Sequence, residues 1–165
     1  MRIISPPFIW TSITVDELLA DDVESASQVS SPALTKYTGD VGIPDSDVST
    51  GSWSSTGANL YSVIDEETAS DADYISTTAL STCEVGLTNP VDPVSSTGHV
   101  LKYRLYGDGA TDITVSVRQG ASTEIAAWTE TNVPAAWTDY QHTLNGTQTD
   151  NITDYTDLRV RFVAG

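Results

Sequence analysis

Three stretches of this 165-residue chain alternate large apolar and polar side chains with a period of two: Leu101, Tyr103 and Leu105; Ile113, Val115 and Val117; Leu158, Val160 and Phe162. A period of two puts alternate side chains on one face of an extended strand, so each stretch reads as a strand with one buried face. These nine side chains are the expected core. Strands are expected at 51–54, 73–77, 83–87, 99–106, 113–118, 124–129, 138–144 and 158–163, with a helical turn over 59–67. Between them Thr88-Asn89-Pro90, Gly107-Asp108-Gly109, Gln119-Gly120 and Asn145-Gly146 place turn-forming residues where strands must reverse. About eight short strands make an all-β antiparallel sandwich.

Composition agrees with that class. Only 18% of residues are charged while Ser, Thr and Gly are abundant, which suits a hydroxyl-rich β surface better than a helical bundle. The length suits one domain of ordinary size with an extension. Seven basic against 23 acidic residues give a net charge of −16, which argues against contact with nucleic acid or anionic membranes. Residues 1–97 hold 15 acids and 2 bases, and residues 98–165 hold 8 acids and 5 bases, so the acid is concentrated in the first part. The single Cys83 has no partner for a disulfide, and no clustered His suggests a zinc site, so no cofactor is expected. The N-terminal residues lack the apolar run of a secretory signal, and no window has the ~20 apolar residues of a membrane span. Synthesis and use in a cytoplasm are expected.

Residues 1–47 read differently from the rest. Pro6-Pro7 enforces an extended path leading into Phe8, Ile9 and Trp10, and Thr14 with Glu17 can cap one helical turn carrying Leu18 and Leu19. Residues 21–48 have linker composition, rich in Asp, Ser, Pro and Gly. The expectation is an extended N-terminal arm over 1–47 and a sandwich domain over 48–165. Such an arm cannot bury a core of its own, and so needs a surface outside the domain to hold it. Phe8, Ile9, Trp10, Leu18 and Leu19 are its candidate anchors.

The residues out of phase with the core include Lys102, Arg104, Arg118, Arg159 and Arg161, five of the seven bases. If their strands share a sheet they form a cationic stripe suited to a subunit contact. The alternative is cross-strand pairing with Glu84, Glu124 or Asp157. Asp65, Glu66, Glu67, Asp71 and Asp73 are acidic enough to offer oxygen ligands to Ca²⁺, with Asp65 and Asp73 the first candidates, but lack EF-hand spacing. A solvated acidic loop is the plainer reading. For catalysis, His99 and His142 are the only histidines, and no nucleophile elbow or phosphate-cradling loop is present, so the chain is read as non-enzymatic. Among the aromatics, Trp53 and Trp128 fall within expected strands, leaving Trp137, after Pro134-Ala135-Ala136, as the candidate exposed platform for a sugar ring.

Three runs, Gly51-Ser52-Trp53, Leu60-Tyr61-Ser62-Val63-Ile64-Asp65-Glu66 and Asp71-Ala72-Asp73-Tyr74-Ile75, resemble a module of tailed-bacteriophage structural proteins. Gly98-His99-Val100-Leu101-Lys102-Tyr103-Arg104 and the stretch from Asp154 to Phe162 belong to the same resemblance, which covers roughly residues 48–163 and carries no catalytic motif. It implies a jelly-roll-like sandwich and a virion protein of the capsid decoration or cement type. Such a protein would be made in the host bacterial cytoplasm, and would bind the major capsid protein and neighbouring copies of itself in a symmetric oligomer. Two other classes stay open: a glycan-binding head or tail fibre module, in which exposed aromatics and the acidic loop should form one cleft, and a neck or tail connector.

Overall fold

The computed structural model describes residues 2–11, 40–66 and 68–165, the first of these as backbone. The strands are β1 (Arg2–Thr11), β2 (Val41–Gly42), β3 (Pro44–Ser49), β4 (Ser54–Ser55), β5 (Ile75–Ser76), β6 (Ser81–Leu87), β7 (His99–Tyr106), β8 (Ile113–Gln119), β9 (Thr123–Glu130), β10 (Thr138–Thr143) and β11 (Leu158–Ala164). One short helix, α1 (Gly146–Asp150), and two 3-10 turns, Tyr61–Val63 and Tyr155–Asp157, complete the regular structure of the described residues. The strands form two antiparallel sheets. Sheet A runs β10-β7-β1-β5-β4, with β2 also pairing β1, and sheet B runs β3-β6-β11-β8-β9. The fold is an all-β sandwich.

The period-two stretches build its interior. All nine alternating side chains are buried, those of β7 on sheet A and those of β8 and β11 on sheet B. Cys83, Val85 and Leu87 of β6 join them, and Trp53, Leu60, Ile64 and Ile75 close one flank. Removing large apolar side chains from water, at roughly 25 cal/mol per Å², is what drives the two sheets together. A bulge between Val117 and Arg118 shifts the β8–β9 register, and the adjoining residues Ile125 and Ala126 of β9 are both buried.

The six strands from β6 onward lie where the alternation puts them. Upstream, β5 lies inside the strand expected at 73–77 and the 3-10 turn at Tyr61–Val63 inside the helical turn expected at 59–67, while the start of the domain departs from expectation. Residues 51–53 turn rather than extend, and the strand begins only at Ser54: Gly51 has φ +54, a conformation suited to glycine, and a side chain there would collide with the Thr82 carbonyl. Asn145 does not close a hairpin. It caps α1 instead, accepting from the Gln148 amide at 3.0 Å while Gln148 Oε1 accepts from the Asn145 amide at 2.9 Å.

The boundary at residue 48 also moves. β3 pairs β6 through Pro44–Ser49, β2 pairs β1, and β1 lies between β7 and β5 in sheet A. Part of the stretch read as an arm therefore belongs to the sandwich, because edge and partner strands can be held by main-chain hydrogen bonds without an apolar alternation. The ladder between β1 and β7 shifts register between Ile4 and Phe8, where Pro6-Pro7 supply no donors. The helical turn read at residues 14–20, with Leu18 and Leu19, lies outside the described residues.

Deleting residues 2–11 would leave β7 without its central partner and detach the short β5 and β4. The expected outcome is loss of cooperative urea unfolding, followed by Trp fluorescence; an unchanged midpoint would show that sheet A does not need β1.

Candidate functional site

The loop that precedes β10 is pinned to the end of β7. The Gly107 amide donates to the Pro134 carbonyl at 2.7 Å, Gly109 to Val133 at 2.8 Å, and Asn132 to Asp112 Oδ1 at 2.8 Å. Val133 is fully buried beneath. These bonds fix where the loop releases Trp137. Because Thr138 pairs with Leu105, Trp137 falls opposite Tyr106 on the outer face of sheet A.

Tyr106 and Tyr74 meet Trp137 with ring centroids 5.1 and 6.1 Å away, at tilts of 58° and 51°. They prop the half-buried indole from its sides rather than lying flat on it. Two residues before Tyr106, and so on the same face, Arg104 forms a two-point pair with Asp71, Nε to Oδ1 at 3.2 Å and Nη2 to Oδ2 at 3.3 Å. Its Nη1 reaches Asp139 at 3.4 Å from the neighbouring strand. Three aromatic rings, a guanidinium and two carboxylates thus share one surface. Of the acidic loop, Asp71 lies beside the aromatic platform.

A second grouping lies where the edges of β9 and β10 approach each other. Trp128 and His142 stack at 4.7 Å and 14°. Glu130 Oε1 accepts from the Tyr103 hydroxyl at 2.7 Å and lies 2.6 Å from His142 Nε2. Tyr140 stacks on Tyr103 at 5.6 Å. Burial, reinforced by the Glu130 carboxylate, pushes the Tyr103 phenol far up, so it stays a proton donor. His142 is tied into this seam, and the half-buried Trp128 packs at its margin. The seam is a structural closure.

The five cations do not form one stripe. β7 belongs to sheet A while β8 and β11 belong to sheet B, so Lys102 and Arg104 lie on the opposite outer face from Arg118, Arg159 and Arg161. Alternation gives the phase of each strand, not its sheet. On sheet B the three guanidinium groups converge on one carboxylate, Glu84, whose side chain is 4% exposed: Arg118 Nη1 at 3.0 Å, Arg161 Nε at 2.7 Å and Arg159 Nη1 at 3.3 Å. Arg159 Nε also holds Asp157 at 2.8 Å, which keeps its guanidinium pKa raised. The cross-strand pairing alternative describes this face.

Of the other candidates, Phe8, Ile9 and Trp10 belong to β1, whose backbone is built into sheet A. Among the described residues no group of three or more His, Cys, Asp or Glu side chains is arranged to hold a metal ion, Asp65 and Asp73 included. Sequence reasoning singled out Trp137, and reached Tyr74 only among the aromatics and Asp71 only within the acidic cluster; Tyr106 and Asp139 it did not single out, although Tyr106 shares the phase of Arg104, the one local signal available. No protein-family model matches the chain, and comparison with curated proteins and with solved structures found no significant match.

Two outcomes follow from buried polar groups. Glu84→Gln would leave three guanidinium groups without their shared charge and cost about 3 kcal/mol of stability in urea unfolding. An unchanged midpoint would mean that these pairs are solvated. His99 is fully buried, with Nε2 2.6 Å from the Tyr155 hydroxyl, and burial holds its pKa below the ordinary 6.5. The unfolded chain accepts that proton and the folded one resists it, so this contribution is complete above pH 6.5 and is lost as pH falls below it. Between pH 6.5 and 5.5 the stability of His99→Gln should therefore fall less steeply than that of the parent chain, by up to about 1.4 kcal/mol per pH unit. Equal slopes would show that His99 titrates normally.

Proposed function

We propose that this chain is a non-catalytic binding module that holds a glycan against the Trp137 platform. The observation that carries the reading is the cross-strand placement of Trp137 beside Tyr106 and Tyr74, next to Asp71, Asp139 and Arg104. The C–H face of a pyranose is apolar and packs on an indole, while its hydroxyls need acceptors and donors at the rim. Carboxylates accept from neighbouring hydroxyl pairs, and the guanidinium that bridges them donates. Because Arg104 is matched by two carboxylates, the rim suits a neutral sugar. As a member of the tailed-phage class that the sequence resembles, a domain with this site would serve as a head or tail fibre module acting at the host surface.

A second reading is a capsid decoration or cement protein, or a neck or tail connector, gripping the major capsid protein and copies of itself. It is favoured by β1, a strand in the middle of sheet A separated in sequence from β2 by residues 12–40, which is enough chain for the strand to be exchanged with a neighbour.

The two readings separate on a neutral-glycan microarray followed by calorimetry. The glycan reading expects Trp137→Ala to weaken binding at least tenfold while the unfolding midpoint moves little, the ring being half-buried on an outer face. A parent chain that binds no glycan but sediments with capsids would reject it in favour of the second.

A further inference from the structure

On the outer face of sheet B three guanidinium groups form ion pairs with two carboxylates, Glu84 and Asp157, while Glu124, in register opposite Arg118 on β9, forms none among the described residues. Glu84 is matched by Arg118, both side chains being nearly inaccessible (4 and 6% exposed), and Arg118 is locked from behind by its Nη2 bond to the Ala121 carbonyl at 2.7 Å. Asp157 matches Arg159. That leaves Arg161, whose Nε bonds to a Glu84 already neutralised, and whose terminal amino groups have no hydrogen-bond partner among the described residues. Its side chain is 35% exposed. Arg159 and Arg161 stand two residues apart on β11, so both project from this face, and both are tethered to the two oxygens of one carboxylate.

This arrangement differs from an ordinary surface arginine in its entropy. A free arginine side chain loses its rotamer freedom when a ligand fixes it. Here Glu84 has already fixed the near edges of two guanidinium groups, and the remaining N–H groups of Arg161 are left to donate. The net charge of −16 opposes anions at long range, but charges beyond the ~8 Å Debye length of physiological salt are largely screened. Direct, paired N–H···O⁻ bonds to a planar fork are short-range and geometric.

We propose that Arg161, flanked by Arg159 and oriented by Glu84, is a binding site for a tetrahedral oxyanion of the sulfate or phosphate class. The oxyanion is free in solution or carried as an ester on a sugar, and two terminal oxygens accept from the guanidinium forks. The site is on the opposite sheet from the Trp137 platform and does not depend on it.

The test uses the full chain, with sodium sulfate titrated against sodium chloride at constant ionic strength, read by calorimetry and by the ¹⁵Nε resonances of the arginines. The proposal expects one sulfate per chain, a shift confined to the Arg159 and Arg161 signals, and at least a tenfold loss of affinity in Arg161→Gln. That variant keeps the buried Glu84–Arg118 pair and hence the fold. Arg161→Lys, which retains charge but not the fork, should lose most of the affinity, and Arg104→Gln on the other sheet should lose none. Binding that is equal for sulfate and chloride, or that survives in Arg161→Gln, would overturn the proposal. A sulfated and a neutral disaccharide distinguish the sources: Arg161-dependent binding of the sulfated sugar identifies an ester, and binding of inorganic sulfate alone identifies a free ion.

Discussion

Burying alternate side chains of β6, β7, β8 and β11 against one another is the constraint from which the rest of this molecule follows. Once Leu101, Val115 and Phe162 face inward, their neighbours must face outward, and the sheet that each strand joins decides which outer surface they occupy. β7 carries its polar side chains to sheet A, where Arg104 meets Asp71 and Asp139 beside three aromatic rings. β8 and β11 carry theirs to sheet B, where three arginines gather over Glu84. Both surfaces are by-products of one interior.

The two faces use charge in opposite ways. On sheet A one guanidinium lies between two carboxylates, with Lys102 on the same outer face. On sheet B three guanidinium groups gather over one buried carboxylate, with Asp157 and Glu124 at their margins. Glu84 is inaccessible to water and would be expelled from this position were it not matched, since an unpaired buried carboxylate is strongly destabilising. Its three partners are what hold it there.

How much of this was legible in the sequence depends on what each strand buries. β7, β8 and β11 announce themselves through strict alternation, and β6 through Cys83, Val85 and Leu87. β3, by contrast, reads Pro-Asp-Ser-Asp-Val-Ser with only Pro44 buried, so its place at the sheet edge is carried by main-chain pairing that composition does not report. β1 was hidden by Pro6-Pro7, which look like a break and act as an irregularity within a continuing strand. The arginine phases were legible, but their division between sheets was not, because topology joins residues as distant as Arg118 and Glu84. Trp137 could be named from its exposed loop; its neighbours Tyr74 and Asp71 come from another part of the chain altogether.

The position of β1 also sets an order on synthesis. Its main partner, β7, spans residues 99–106, so the strand leaves the ribosome long before the backbone it will pair with. At ordinary elongation rates that interval is on the order of ten seconds, far longer than a hairpin needs to close. Throughout it, the central strand of sheet A carries unspent donors and acceptors, with only the two-residue strands β2 and β5 emerging before β7 to occupy some of them. A crowded polysome would therefore offer nascent chains one another's first strands before their own were complete, making the timing of translation part of what decides whether this sandwich closes alone or in company.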